Sequence, residues 1–340
     1  MPVTAFRDAR NLIKILTLKR VWNYIVLRLS YGFSVMFGTP VHAGKPSFIS
    51  IEPANVCNLR CSECITGTGG FTRPQGMMSP HVFESALAAI PQETFYLNLY
   101  FQGEPYMNPS FFNFVLGAKK RKMYIAVSTN GHFLNDENIR STVHSGIDRL
   151  IVSLDGADAD TYTDYRRGGD FNKVVEGIKR LTACRNSEKS LTPFIVLQFL
   201  VSEKNQHQLA LIQQLAKELG ADKLELKTMQ VLNTEAPVVT VPSDERYSRY
   251  RKNPEGVLIA KNNLPNRCFR MWSAPVICQN GDVAPCCYDK DAAHTMGNII
   301  ESNLFDIWKN PSYRAFRKRI FSNRKSVEMC RNCTEGSRYN

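Results

Sequence analysis

Three cysteines lie close together directly after a predicted β-strand. Cys57, Cys61 and Cys64 follow one another with C-x3-C-x2-C spacing, and the predicted strand covers residues 48–52. Iron–sulfur clusters are usually held by four thiolates, so three close thiols leave one iron free to bind another group. A zinc site is the alternative, but zinc normally needs a fourth nearby cysteine or histidine, which this loop lacks. The spacing therefore favours a cluster with one open iron.

A second group of cysteines lies near the end of the chain. Of the ten cysteines, six follow residue 265. A hairpin turn predicted at residues 280–281 precedes Cys286 and Cys287, and Cys330 and Cys333 follow a predicted helix with C-x2-C spacing. This order predicts four cysteine ligands around one metal cluster, although four cysteines would also suit a structural zinc ion.

Short β-like runs alternate with helical patterns between these two groups. The six predicted strands cover residues 48–52, 94–100, 123–128, 149–154, 194–201 and 223–228. Such alternation predicts an α/β fold with a parallel sheet and outer helices. A closed TIM barrel needs eight units, so six predict a partial (β/α)6 TIM barrel, with its chemistry at the C-terminal strand ends.

The composition divides the chain into four parts. We expect an N-terminal helical segment over residues 1–46, the partial barrel over 47–232, a proline-containing bridge over 233–265 and a small cluster-binding domain over 266–340. Ten cysteines without a secretory signal indicate a reducing compartment, and hence the cytoplasm.

The cysteine loop after the first strand resembles that of the radical S-adenosylmethionine (SAM) superfamily, and the resemblance extends over residues 48–228. It implies that Cys57, Cys61 and Cys64 hold a 4Fe-4S cluster whose open iron binds the amino and carboxylate groups of SAM. One electron then cleaves SAM to methionine and a 5′-deoxyadenosyl radical, which abstracts hydrogen from the substrate. Flavodoxin or ferredoxin is the expected electron donor.

The resemblance also implies a set of SAM-binding residues. Gly103, Glu104 and Pro105 are similar to the Gly-Glu motif of the family, whose backbone and carboxylate meet the SAM ammonium group. Further SAM-pocket positions, at later strand ends and beyond, are Ser128, Asn130, Ser153, Asp155 and Arg166. Glu63 departs from the family, because many members have an aromatic residue there near the adenine.

The C-terminal cysteines resemble those of SPASM and Twitch radical SAM enzymes, in particular the shorter Twitch form with one auxiliary cluster. This resemblance implies that Cys268, Cys286, Cys330 and Cys333 hold a second 4Fe-4S cluster, with Cys287 able to replace Cys286. A cluster with four protein ligands is suited to carrying electrons.

An auxiliary electron acceptor favours a net oxidation, such as the dehydrogenation of a small-molecule or peptide substrate. Glu225, Lys227 and Gln198 are candidate bases by position, and Cys278 and Cys287 are candidate hydrogen-atom donors. An epimerase and a peptide-crosslinking maturase are the alternatives. Crosslinking enzymes commonly carry a leader-binding winged domain, for which residues 1–46 are too short.

The formal charge of +12 raises an alternative of another class, a non-redox, metal-structured protein that binds RNA or membranes. No nucleic-acid recognition motif accompanies the charge, so we expect no specific nucleic-acid role. Near the N-terminus, Trp22, Ile25, Leu29 and Phe33 recur at helical spacing. The main uncharged run in this region, residues 29–40, is too short to span a bilayer. Peripheral membrane contact is one interpretation, but an apolar stripe more often packs against a core, which we expect here.

Overall fold

The computed structural model describes residues 3–334 and contains the expected parallel sheet. The six barrel strands are Phe48–Ile51 (β1), Tyr96–Asn98 (β2), Tyr124–Thr129 (β3), Arg149–Ser153 (β4), Phe194–Val201 (β5) and Lys223–Thr228 (β6). Each strand pairs in parallel with the next along the chain. The predicted bounds of the last two strands are confirmed to the residue. Strand β5 is rich in β-branched and aromatic residues, and β6 alternates charged and apolar ones.

Helices cover the outer face of this sheet and the N-terminal end of the barrel. They are Val3–Ile13 (α1), Leu18–Phe37 (α2), Ile65–Thr68 (α3), Pro80–Ala89 (α4), Phe111–Lys120 (α5), Asp136–His144 (α6), Ala159–Tyr165 (α7), Phe171–Ser187 (α8) and Leu209–Glu218 (α9). Ser79 caps α4 by accepting a hydrogen bond from the Val82 amide, as its position before Pro80 predicts. Alternate strand residues such as Ile49, Leu97 and Ile125 are fully buried beneath these helices.

The C-terminal part adds short elements around its cysteines. They are Tyr250–Lys252 (β7), Leu258–Ala260 (β8), Arg270–Ser273 (α10), Val276–Ile277 (β9), Val283–Ala284 (β10), Leu304–Lys309 (α11), Pro311–Asn323 (α12) and Glu328–Arg331 (α13). The predicted hairpin turn is confirmed between β9 and β10, where Gly281 has a φ of 91°. The bridging segment contains a small antiparallel hairpin, β7 and β8, that its irregular sequence did not predict.

The C-terminal hairpin joins the barrel sheet. Strand β9 pairs in parallel with β1, and β10 pairs with β9, so the sheet has eight strands in the order β10-β9-β1-β2-β3-β4-β5-β6. The Glu52 amide donates to the Ile277 carbonyl at 2.9 Å across this junction. The edge of the partial barrel at β1 is thereby covered by the cluster-binding domain.

The two N-terminal helices pack on the barrel with polar contacts. Asp8 of α1 accepts hydrogen bonds from Tyr124 and Arg149, which face the lumen at the N-terminal ends of their strands. Arg20 of α2 donates to the Lys122 carbonyl at 2.7 Å. Helix α1 therefore closes the bottom of the barrel, while α2 runs along its side.

The expectation that the apolar stripe of the N-terminal segment packs against the core is wrong. Trp22 and Leu29 are each 67% exposed, whereas Arg20, Asn23 and Ser34 of the same helix are buried. Loop carbonyls and amides on the barrel side bind these polar groups, which turns the apolar face of α2 outward. Among the described residues, no helix combines the length and hydrophobicity needed to cross a bilayer.

Candidate active site

The first cysteine loop lies at the C-terminal end of β1, between that strand and α3. Cys61 is buried, and Cys57 and Cys64 are half-buried. The Arg60 amide donates to the Arg167 carbonyl at 2.9 Å, which ties the loop to the segment after α7. Gly67 lies so close that a Cβ there would be 2.5 Å from the Cys61 nitrogen. The loop is thus held tightly on both sides of Cys61.

The electrostatics of this loop suit thiolates bound to a cation. Burial raises the pKa of the Cys61 thiol to about 11, Arg166 opposes this change, and Cys64 and Cys57 add to it. Burial also raises the pKa of the Cys57 thiol, so both of these thiols are unfavourable as free anions. A bound iron cluster removes the conflict, because a metal-coordinated thiol is deprotonated outright. Asn130 also donates a weak hydrogen bond to the Cys57 sulfur at 3.6 Å.

The donor set fits an iron–sulfur cluster. Within residues 3–334, no three Cys, His, Asp or Glu side chains are arranged to share one metal ion. Each thiolate of a cubane binds a different iron, so single-ion geometry is not what such a cluster requires. The all-sulfur ligand sets of both cysteine groups are those that such clusters use.

The Gly103-Glu104-Pro105 turn packs directly against the cysteine loop. Gly103 has a φ of 68°, and a Cβ there would lie 2.5 Å from the Ala54 carbonyl oxygen and 2.6 Å from that of Val56. Its amide donates to Thr66 Oγ1 at 3.2 Å. Only glycine fits this close backbone approach. Pro105 follows as the first residue of a 3₁₀ turn.

Glu104 is fully buried and bonded to the end of β3. One carboxylate oxygen accepts from Thr129 Oγ1 at 2.8 Å, and the other accepts from the Asn130 amide at 2.7 Å. Burial raises the pKa of Glu104 to about 7, while these hydrogen bonds lower it. Both oxygens therefore have partners within the protein, and their contact with the SAM ammonium group stays a prediction.

Asp155 and Arg166 form a buried ion pair beside the first cysteine loop. Both Nε and Nη2 of Arg166 lie 2.7 Å from Asp155 Oδ2, and Asp155 Oδ1 accepts from the Leu200 amide. Burial lowers the pKa of Arg166, but Asp155 and the Cys61 thiol raise it. Together the opposing charges outweigh the burial, so the pKa of Arg166 is raised. The structure thus brings two predicted SAM-site residues together next to Cys61.

Polar side chains line the barrel lumen near these groups. Ser153, Gln198 and Glu225 are directly opposite one another on β4, β5 and β6. Ser128, on β3, is half-buried on the same inner face. Glu225 forms an ion pair with Lys227 of the same strand, with the two charged groups 3.0 Å apart.

Three of the four predicted auxiliary ligands, Cys268, Cys330 and Cys333, lie near Arg324. Cys286, Cys330 and Cys333 are buried and Cys268 is half-buried. Burial lowers the pKa of Arg324, but the thiols of Cys268, Cys333 and Cys330 raise it, giving a net increase. Arg324 Nη2 also donates to the Cys333 sulfur at 3.5 Å. The guanidinium compensates the negative charge that four thiolates bring.

Cys286 and Cys287 point to different surroundings. Cys286 packs in the main core, where burial raises its pKa and the thiols of Cys287, Cys268 and Cys333 add to that shift. Cys287 instead packs against the small cluster of Val276, Cys278 and Ala284, and its sulfur accepts a hydrogen bond from Arg270 Nη1 at 3.5 Å. These positions favour Cys286 as the ligand.

A cavity of about 480 Å³ joins the lumen to the auxiliary site. Ser50 and Asn98 line it from the barrel, and Cys268 and Cys287 line it from the C-terminal domain. Helix α2 contributes a third wall, formed by Tyr24, Arg28 and Tyr31. Cys278 is fully buried against Val276 and Ala284, in the cluster on which Cys287 packs.

Several residues of the site were missed from the sequence. Glu63 accepts hydrogen bonds from the amides of Leu232, Val238 and Val239, so it anchors the bridging segment over the cysteine loop. Burial lowers the pKa of Lys290, and this effect is larger than the opposing effect of the Cys64 and Cys287 thiols, which raise it. The sequence showed Glu63 only as a departure from the family motif, and nothing near Lys290 in the sequence predicts its position beside Cys64 and Cys287.

Comparisons with known proteins agree with this site. The model of the radical SAM superfamily matches residues 51–198, and that of the SPASM iron–sulfur cluster-binding domain matches residues 268–334. The chain therefore belongs to the radical SAM superfamily and carries a C-terminal SPASM domain. SAM and iron–sulfur clusters are its cofactors, and it is an enzyme rather than a non-redox binding protein.

Two curated relatives and one solved structure illustrate the likeness. The chain is 25% identical over 301 residues to the tungsten-containing aldehyde ferredoxin oxidoreductase cofactor-modifying protein of Pyrococcus furiosus, covering 79% of this chain and 83% of that protein. It is 26% identical over 296 residues to the mycofactocin maturase MftC of Mycobacterium ulcerans, and the match covers 80% of this chain and 77% of that protein. The crystal structure of Streptococcus suis SuiB bound to S-adenosylmethionine has a TM-score of 0.64 at 16% identity, covering 92% of this chain and 76% of SuiB.

Proposed function

We propose that the protein oxidises a substrate bound in the barrel lumen and passes the released electron to the C-terminal cluster. The cavity that touches Ser50 and Asn98 on one side and Cys268 and Cys287 on the other carries this proposal. A substrate in that cavity lies against an auxiliary ligand, so an electron can leave it without crossing a protein layer. Cys57, Cys61 and Cys64 would hold the catalytic cluster, and Cys268, Cys286, Cys330 and Cys333 the auxiliary one.

The cofactors and the protein side chains have separate tasks. With its cluster, bound SAM supplies a 5′-deoxyadenosyl radical that takes one hydrogen atom from a substrate C–H bond. Loss of one proton to a protein base and of one further electron would complete a two-electron oxidation, and a cluster held by Cys268, Cys286, Cys330 and Cys333 would accept that electron. Glu225 is a candidate for the proton acceptor because it faces the lumen opposite Gln198, and Lys227 stabilises its carboxylate.

The relatives favour a peptide as the substrate class. The mycofactocin maturase and a PqqA peptide cyclase of Streptomyces rochei, 23% identical over 320 residues, are named for maturation and peptide cyclisation. A small molecule stays the second candidate. Epimerisation needs a hydrogen-atom donor at the substrate, and Cys287 on the cavity wall is the cysteine placed for it.

Anaerobic reconstitution with iron and sulfide, followed by reduction and SAM addition, tests the proposal. We expect two clusters per chain and 5′-deoxyadenosine formation. Peptide and small-molecule extracts from cells grown in deuterium oxide then serve as substrate probes, and deuterium in 5′-deoxyadenosine identifies the active extract. A reduced auxiliary cluster after a single turnover is expected for oxidation.

A Cys287→Ala variant distinguishes oxidation from epimerisation. Oxidation continues without this thiol, because the electron leaves through the cluster. Loss of product by the variant, with continued deuterium transfer and solvent hydrogen in the wild-type product, would overturn oxidation in favour of epimerisation.

A further inference from the structure

Helix α2 has its apolar face turned away from the protein. Six of its exposed apolar residues, called here the α2 stripe, are Leu18, Trp22, Ile25, Leu29, Phe33 and Met36. Their steps of three and four residues place them on one face of the helix over about 27 Å. Exposure runs from 40% at Ile25 to 91% at Leu18, so the whole face is accessible. Monomeric proteins rarely leave such a continuous apolar surface uncovered.

The orientation of α2 is fixed by polar contacts on its other face. Arg20 donates to the carbonyls of Ile15 and Lys122, both at 2.7 Å. Asn23 accepts from the Lys45 amide at 2.8 Å, and Ser30 accepts from the Trp272 indole at 3.0 Å. Rolling the helix to bury its stripe would break these buried hydrogen bonds. The exposed stripe is therefore part of the folded state.

Basic clefts lie at both ends of the stripe. At the start of α2, a cleft is lined by Lys14, Lys19, Lys45, Lys120 and Lys122, and no carboxylate lines it among residues 3–334. Glu93 lies behind it and binds Lys19 and Lys45 at 3.3 and 3.1 Å.

A second cleft, at the other end of the helix, is lined by Lys309, Arg314 and Lys318 next to Gly38 and Pro40. Helix α2 itself contains Lys19, Arg20 and Arg28 and no acidic residue. Cationic clefts thus flank the stripe at both of its ends.

We propose that the α2 stripe docks on an anionic phospholipid bilayer. Apolar side chains that enter the boundary of the acyl chains, with lysines around them at the phosphate level, are the pattern of interfacial helices. Trp22 has the amphipathic ring that favours this boundary. A second copy of this chain is a poorer occupant, because two such faces would bring the cationic clefts together.

Vesicle binding by the anaerobic full-length holoprotein tests the proposal. We expect flotation with phosphatidylcholine vesicles that contain phosphatidylglycerol, and much weaker flotation with phosphatidylcholine alone. The Trp22→Gln/Leu29→Gln variant should bind on the order of 100-fold more weakly, because two buried apolar side chains are lost. Leu191→Gln/Leu211→Gln changes two exposed leucines outside α2 and should bind as the wild type does.

The charge requirement is tested separately with Lys14→Gln/Lys120→Gln/Lys122→Gln. We expect about fivefold weaker binding to anionic vesicles for each lysine removed, and no change on phosphatidylcholine. Of the three tryptophans, Trp272 and Trp308 are fully buried, so a blue shift of fluorescence on binding reports Trp22. Trp22→Phe should bind without that shift.

Three results would overturn the proposal. The first is that the wild type does not float with anionic vesicles. The second is that Trp22→Gln/Leu29→Gln floats as well as the wild type does. The third is that light scattering shows a dimer of the wild type and a monomer of this double variant. Because every changed side chain is exposed, the iron content and the thermal midpoint of the variants should equal those of the wild type.

Discussion

Arg73 binds the Glu52 carboxylate through two parallel hydrogen bonds, each 2.6 Å long. Glu52 directly follows β1 and also accepts from the Gln279 amide of the C-terminal hairpin, while the Arg73 guanidinium donates to the Lys290 carbonyl. The pair therefore joins the first strand, the segment after the cysteine loop and the cluster-binding domain at one buried point.

Replacing Arg73 by Met should destabilise the protein by about 3–5 kcal/mol, because it leaves the Glu52 charge buried without its cationic partner. The free energy of unfolding from chemical denaturation under anaerobic conditions measures this loss. Lys204→Met is the matched control, since it breaks an exposed pair with Asp164 and should cost less than about 1 kcal/mol. Equal losses in the two variants would contradict the role given to Glu52.

Glu63→Gln should loosen the bridging segment over the first cluster site. Glu63 uses one oxygen for the Leu232 amide and the other for the amides of Val238 and Val239, and a glutamine offers only one acceptor oxygen. We expect hydrogen exchange of these amides to rise about tenfold or more. Glu235→Gln, at an exposed position of the same segment, should leave the exchange rates unchanged.

Cys286→Ala and Cys287→Ala should separate the two roles of this cysteine pair. The first should remove the auxiliary cluster, with a loss of about four iron atoms per chain, because it deletes a ligand. The second should keep the iron, because Cys287 faces the cavity. Iron and sulfide analysis together with electron paramagnetic resonance distinguishes them, and the reverse pattern would assign Cys287 as the ligand.

His42 predicts a pH dependence of stability. Its ring lies 4.7 Å from that of Trp272 and 5.3 Å from that of Trp308. Burial lowers its pKa to about 3, and the nearby charges of Arg317 and Lys309 contribute to the decrease. At pH values between about 3 and 6.5, the His42 ring is protonated in the unfolded chain but not in the folded protein. The free energy of unfolding therefore decreases as the pH falls below 6.5.

The expected contribution of His42 is a loss of about 1.4 kcal/mol between about pH 7.5 and pH 5.5. Denaturation midpoints at the two pH values, compared between wild type and His42→Gln, measure it, because the variant should lack this contribution. His81→Gln, at an exposed position, should keep the full wild-type difference. An unchanged difference in His42→Gln would show that another group titrates.

Local patterns predicted much of the barrel and little of its long-range contacts. The six strands, the Ser79 cap and the turn at Gly281 depend on residues within a few positions of one another. The pairing of β1 with β9 joins residues more than 200 positions apart, and nothing in the short run of β9 indicates its partner.

The same limit explains the reversed orientation of α2. Helical spacing showed that Trp22 and Leu29 share a face, but periodicity does not say which face meets the protein. The decisive partners of Arg20 and Asn23 are backbone groups of Lys122 and Lys45, whose positions only the fold defines. Glu104 and Arg166 were predicted as SAM-site residues, but their bonds to Thr129 and Asp155 required the structure.

The pairing of β9 with β1 has a mechanical consequence. The strand that ends beside Cys57 and the hairpin that leads to Cys286 share one backbone ladder, closed by the Ser50 and Glu52 amides on the carbonyls of Pro275 and Ile277. Hydrogen-bonded sheets do not hinge between neighbouring strands, so the gap between the two redox centres behaves as a fixed tunnelling distance. Solvent viscosity should then leave the rate of electron transfer between them unchanged.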